Sequence, residues 1–216
     1  MKSFALRATC VALAAAGALV VGAAFAQDDG VKRVTGTTDA AVVQELRDSF
    51  RGSGIAQLDR IDQSELQKLC TQYATKPMPP KIAERLQKAE LANVKAPADG
   101  KYLGDWKEGE KVAQNGRGMQ FTDKADTVNG GNCYACHQLT KSEISFGNIG
   151  PSLYNYGKLR GDSPEVVKYT WAKVYDSHSY MACSNMPRFG AAGILTEKQL
   201  KDVMALLLDP ASPVNQ

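Results

Sequence analysis

Histidine is scarce in this chain: two residues among 216. There is no second C-x-x-C pair beyond Cys133 and Cys136, and no βαβ pattern surrounds that pair. A structural zinc site takes four ligands at set spacings, so zinc lacks donors here. A thioredoxin-like dithiol belongs in a βαβ unit and is excluded on that ground. No basic tract occurs, which removes the electrostatic footprint of a nucleic-acid binder. There is no internal repeat and no low-complexity tract, and nothing after residue 26 approaches transmembrane length.

The N-terminus gives the first positive signal. Lys2 and Arg7 form a charged n-region, and Ala8 to Ala26 carry no charge. Ala24-Phe25-Ala26 is an A-x-A cleavage site before polar Gln27-Asp28-Asp29. This is the pattern of a secretory signal peptide over residues 1–26. The competing reading is an uncleaved anchor, because the apolar run is nearly long enough to span a bilayer. Its Ala-rich, small-residue end favours cleavage. Cys10 lies early in the run and not just after a cleavage site, unlike a lipid-bearing cysteine. The expected mature chain starts at Gln27, soluble and in the periplasm, with no membrane contact after cleavage. Loss of Lys2 and Arg7 takes the formal net charge from +3 to +1.

Cys133-Tyr134-Ala135-Cys136-His137 is the c-type haem attachment pattern, C-x-x-C-H. Each thiol adds to one haem vinyl group. His137 follows the second bond directly, so its imidazole is expected beneath the iron as the proximal ligand. One covalently bound haem c is the expected cofactor, and its propionates make the mature chain slightly negative. Haem c is attached outside the bacterial cytoplasm, so signal and motif agree.

Of five cysteines, Cys10 leaves with the signal, and Cys133 and Cys136 take the haem. Cys70 and Cys183 remain in an oxidising compartment, where a Cys70–Cys183 disulfide is the preferred pairing. The loop it closes is long, worth about 4–5 kcal/mol in chain-entropy terms before strain. Two unpaired thiols, or Cys183 as a reactive sulfur acceptor, are the alternatives.

Residues 27–100 read as a mostly helical N-terminal extension. Asp39 precedes Val42, Val43, Leu46 and Phe50 at helical spacing, and Gly52-Ser53-Gly54 ends the run. Ile61, Leu66 and Leu69 suggest a second short helix, with Asp62 and Glu65 as its cap pair. Pro77-Met78-Pro79-Pro80 is a stop, a third helix spans Lys81 to Asn93, and residues 96–100 are a linker. A haem domain follows over 101–216. Asp105 and Glu108 cap a helix over about 106–115, and Ser163-Pro164 opens another to Tyr175. Thr196 caps a last helix with Leu200, Val203, Met204 and Leu207 on one stripe, stopped by Asp209-Pro210. Helix, C-x-x-C-H loop, turn, helix, Met loop, C-terminal helix is the order of the all-α class I cytochrome c fold.

The ligand opposite His137 sets the function class. A Met thioether favours Fe(II) and suits electron transfer, whereas an open position suits peroxide chemistry or gas sensing. The candidates are Met186, Met181, Met119, Met78, Met204 and His178. Met204 belongs to the apolar stripe, and Met78 and Met119 fall outside the loop between motif and last helix. Met186 leads Met181 and His178 because Pro187 restricts the backbone before it to extended geometry. His178 otherwise reads as an exposed loop residue. In this fold a loop carbonyl orients the proximal imidazole, and Gly150-Pro151 is well placed for it. Arg160 and Arg188 are candidate propionate partners, or plain surface charges.

Three segments, Gly131 to His137, Gly147 to Leu153 and Met186 to Gly190, with Leu195-Thr196 and the last helix, resemble the SoxX family. These are the monohaem subunits of the SoxAX cytochromes of bacterial thiosulfate oxidation. The resemblance covers about residues 100–210 and leaves the extension unaccounted for. It implies His137/Met186 ligation and a periplasmic heterodimer with SoxA. It implies an L-cysteine S-thiosulfotransferase complex that couples thiosulfate to a cysteine of the carrier SoxYZ. The reacting cysteine would lie on SoxA, so this chain would relay electrons to a small cytochrome c without being a catalyst itself. A free-standing periplasmic shuttle is the competing expectation.

Overall fold

The computed structural model describes residues 40–216. The segment expected to be a signal peptide, Cys10 and Asp39 lie outside the described residues. Seven α-helices are described: α1 Ala40–Ser49, α2 Glu65–Gln72, α3 Pro80–Ala92, α4 Trp106–Gln114, α5 Tyr156–Arg160, α6 Pro164–Tyr175 and α7 Glu197–Leu208. Short 3-10 turns lie over Leu58–Ile61, Cys133–Ala135, Ser177–Ser179 and Pro213–Asn215. Among the described residues the only β feature is one isolated bridge, Ser53 to Ala56. The all-α expectation holds.

Helix ends follow the sequence signals with one correction. Asp105 accepts from the Lys107 amide at 2.8 Å, Ser163 caps α6 before Pro164, and Thr196 forms a capping box with Gln199 over α7. For α2 the cap is Ser64, not the Asp62–Glu65 pair. Ser64 Oγ accepts from the Gln67 amide, and the Gln67 side chain accepts from the Ser64 amide. The spacing S-x-x-Q fits the box, because the N-cap must lie one residue before the helix starts. Asp62 ends the preceding 3-10 turn and pairs with Arg47. Glu65 pairs with Arg85.

The main core forms where α4 crosses α7. Gly109 makes the crossing close: a Cβ there would meet the Asp202 carbonyl oxygen at 2.1 Å and Leu206 Cβ at 3.0 Å. Asp202 Oδ1 accepts from the Asp105 amide at 2.9 Å, which fixes the start of α4 on α7. Helix α7 is buried almost all round, from Leu200 through Leu208. Each fully buried Leu of that run contributes about 1.5–3 kcal/mol. Trp171 of α6 joins this core, and its indole N–H donates to the Lys95 carbonyl at 2.8 Å. The tail returns as well. Asn215 accepts from the Gly157 and Lys158 amides and donates to the Leu207 and Asp209 carbonyls, tying α5 to the end of α7.

A second, smaller core joins the extension to the loop after α6. Leu66 and Leu86 bury against Ala182, with Leu69, Cys70, Met78 and Ile82 around them. A disulfide links Cys70 of α2 to Cys183 across 113 residues, as the cysteine arithmetic expects.

Candidate haem-binding site

The C-x-x-C-H segment leaves α4 through a glycine-rich turn. The Gly131 amide donates to the Val112 carbonyl at 2.8 Å, and the Asn132 amide donates to the Asn115 carbonyl at 3.0 Å. Asn132 has φ 47°, in the left-handed region that Asn tolerates better than most residues. The Cys133 carbonyl then accepts from the amides of Cys136 and His137. This tight turn brings both thiols and the imidazole close along the backbone. Both thiols are half-buried and free.

The following loop lies directly against the motif. Gly147, Gly150 and Leu153 donate amide bonds to the carbonyls of Tyr134, Cys136 and Gln138, each at 2.8 Å. Two glycines permit this approach. A Cβ at Gly147 would meet the Ala135 carbonyl oxygen at 1.9 Å, and one at Gly150 would meet His137 Cε1 at 2.1 Å. The loop then places the Pro151 carbonyl 2.7 Å from His137 Nδ1. A carbonyl oxygen only accepts, so the proton is on Nδ1 and Nε2 is left with its lone pair for a metal.

The Met loop packs on the same core, with both Met186 and Cys133 against it. The Met186 backbone is held at both ends. Its amide donates to Ser184 Oγ at 3.2 Å, and its carbonyl accepts from Ser177 Oγ at 2.5 Å. Ser177 is fully buried, and its own carbonyl accepts from Lys173 Nζ at 2.9 Å. Burial pushes the Lys173 ammonium below its usual range, against the pull of Asp176. Arg188 stands 3.9 Å from Glu90 of α3. Burial raises the Glu90 pKa above the usual carboxylate value, and the nearby Asp176 carboxyl raises it further.

The other candidate ligands are placed elsewhere. Met204 is fully buried in the main core, as the stripe expects. Met78 packs in the second core. Met119 lies beside Asn129, and Met181 is 58% exposed. His178 departs from the exposed-loop expectation. It is buried, with its Nε2–H donating to the Ser184 carbonyl at 3.1 Å and its Nδ1 without a hydrogen-bond partner. Burial holds its pKa below the ordinary value. Arg160 lies over the rings of Tyr156 and Tyr169. The residues that sequence reasoning missed are Ser177, Ser184, Glu90 and Asp176. Polar residues of this kind carry no periodicity that would mark them.

These residues fit haem c. The donor set is two thiols two residues apart, an imidazole oriented through Nδ1, and soft thioethers in a later loop. Burial pushes the Cys133 thiol up to about 12. A redox-active dithiol is favoured by a lowered thiol pKa, and Cys133 is shifted the other way. Among the described residues no group of three His, Cys, Asp or Glu side chains could cage a metal ion, which leaves zinc without ligands. Haem c would be held by Cys133 Sγ, Cys136 Sγ and His137 Nε2.

The helical fold and the motif together define a cytochrome c domain with covalently bound haem c. Residues 121–209 match the cytochrome c family. A protein of Aquifex aeolicus (strain VF5) named "Uncharacterized lipoprotein" is 41% identical over 126 residues. The match covers 58% of this chain and 59% of the length of that relative.

Proposed function

We propose that this chain is an exported electron-transfer cytochrome with His137 and Met186 as axial ligands. The observation that carries the reading is the Met186 backbone, hydrogen-bonded at its amide and at its carbonyl beside the same core that bears Cys133. Bound haem c supplies a one-electron Fe(III)/Fe(II) couple. The protein's part is to keep the ligands in place through both oxidation states. The Pro151 carbonyl keeps the His137 ring from turning, and Ser177 and Ser184 keep Met186 from swinging away. A thioether ligand favours the ferrous state and raises the potential. Substituting Met186→Leu should abolish the red charge-transfer band of the ferric protein and lower its midpoint potential. Survival of that band would remove Met186 from the iron.

At the finer level we infer a relay subunit of a SoxAX-type complex in the periplasm. The three motif segments support it, and so does the use made of the cysteines. Cys70 and Cys183 pair with each other, and Cys133 and Cys136 serve the haem. No other described residue is a cysteine, so sulfur transfer falls to a partner chain, with SoxA in that role and SoxYZ as carrier. Among the described residues no helix is long and apolar enough to cross a membrane. Co-purification from the native periplasm tests the reading: a stoichiometric partner haem protein supports it. A chain recovered only as a free monomer supports a shuttle instead.

A further inference from the structure

The extension touches the cytochrome domain at the loop that carries Met186, and it does so on both sides of that residue. On one side, Cys183 is bonded to Cys70 of α2, and Ala182 next to it is buried against Leu66 and Leu86. On the other side, Arg188 faces Glu90 of α3. Ser184 follows Cys183 directly, and both of its polar ends are in use. Its Oγ accepts from the Met186 amide, and its carbonyl accepts from His178. A shift of Cys183 therefore passes through one residue to the hydrogen bond that holds Met186. Cys183 is also exposed, so a small reductant can reach the bond.

We propose that the extension is a clamp on the sixth-ligand loop and that Cys70–Cys183 is its redox-opened latch. With the disulfide closed, the loop between Cys183 and Arg188 is anchored at both ends and Met186 stays on the iron. A thiol or phosphine reductant supplies two electrons and, with two protons, converts the S–S bond into two thiols while the reductant is oxidised. On the Cys183 side the loop then keeps only the burial of Ala182 against Leu66 and Leu86, and an external ligand competes better for the sixth position. The inference rests on Met186 being that ligand. It gives residues 65–92 a function that a minimal cytochrome domain does not supply.

The test uses the full-length holoprotein with iron kept ferrous by ascorbate, which leaves the disulfide closed. Carbon monoxide binding, which must displace Met, is timed before and after cleavage of Cys70–Cys183 by a phosphine. The expected result is binding faster by about tenfold or more after cleavage, the factor that ~1.4 kcal/mol less restraint on Met186 gives. Oxidised glutathione should restore the slow rate. Far-UV circular dichroism follows the same samples. An unchanged rate overturns the latch, and so does loss of helix on cleavage, which would make the disulfide a global staple. The paired variant Cys70→Ser/Cys183→Ser should reproduce the fast rate without reductant. Met186→Leu separates the two ideas. If that variant keeps the charge-transfer band, the ligand assignment fails and the clamp with it. If it loses the band while cleavage leaves carbon monoxide binding unchanged, the clamp alone fails.

Discussion

Gly150 has no side chain where the imidazole of His137 lies. A Cβ there would sit 2.1 Å from Cε1 and 2.5 Å from Nδ1. The loop cannot back away, because the Gly150 amide donates to the Cys136 carbonyl at 2.8 Å. Gly150→Ala must therefore push the ring off the Pro151 carbonyl. Overpacking of this kind costs about 1–3 kcal/mol. Loss of the Nδ1 bond also lowers the basicity of the proximal ligand. The expected outcome is a holoprotein with a lower melting temperature and a shifted midpoint potential, read by calorimetry and by redox titration. A variant matching the wild type in both would show that the ring is not pinned from this side. The motif and Pro151 were legible in the sequence, because attachment chemistry and ring orientation both demand residues at fixed spacing. Ser177 was not. Its bond to the Met186 carbonyl spans nine residues across a loop whose path depends on α6 docking.

The pairing of α4 with α7 carries the fold at the level of elements. Three of the helices that build the cytochrome domain announce themselves by their ends: Asp105, Ser163-Pro164 and Thr196 each open a helix where capping chemistry places it. Helix α5 does not. It is five residues long, is preceded by Asn155 at φ 59°, and has its first amides capped by Asn215 from the far end of the chain. Short-range pattern cannot show a cap that arrives from 58 residues away. The Ser64 box is present in the sequence as S-x-x-Q, but the acidic residues Asp62 and Glu65 beside it imitate a helix start of their own. Gly109 is the residue on which the α4–α7 contact depends. Gly109→Val places branched methyls against the Asp202 carbonyl and Leu206, so the helices must separate. About 2–3 kcal/mol of destabilisation is expected, at the upper end for overpacking. For a domain of this size that is about 5–10 °C in melting temperature. Haem attachment should persist, since the motif is tied to the end of α4 and not to the crossing. A melting temperature within 1–2 °C of wild type, roughly a negligible shift on this scale, would mean the crossing opens without penalty.

For the whole molecule, the contacts that join the extension to the cytochrome domain include an apolar cluster, a disulfide and the pairing of Glu90 with Arg188. Glu90 makes the junction respond to pH. Burial of Glu90 raises its pKa above the usual carboxylate value of 4.5, the facing Asp176 carboxyl raises it further, and Arg188 opposes both. A carboxyl whose folded pKa is raised binds its proton more tightly when folded than when unfolded. Its contribution is therefore complete below 4.5 and is lost as pH rises through the raised value. Gln at this position imitates the protonated form and does not titrate. Glu90→Gln should melt with the wild type in acid, and the wild type should fall behind as pH rises toward neutrality. The difference between the two proteins is the useful quantity, because the other carboxylates titrate alike in both. Asp99, Glu165 and Glu197 have lowered values from their own partners and give slopes of the opposite sign that cancel in the comparison. Arg188 is the competing term. At 3.9 Å its attraction for an ionised Glu90 is weak, and partly exposed pairs of this kind contribute about 0–1 kcal/mol. The partial burial of Glu90 and the nearby Asp176 carboxyl outweigh it, so the sign of the slope follows the raised pKa. A wild type that gains on Glu90→Gln with rising pH would reverse that ranking and make Arg188 the partner that decides how α3 is held.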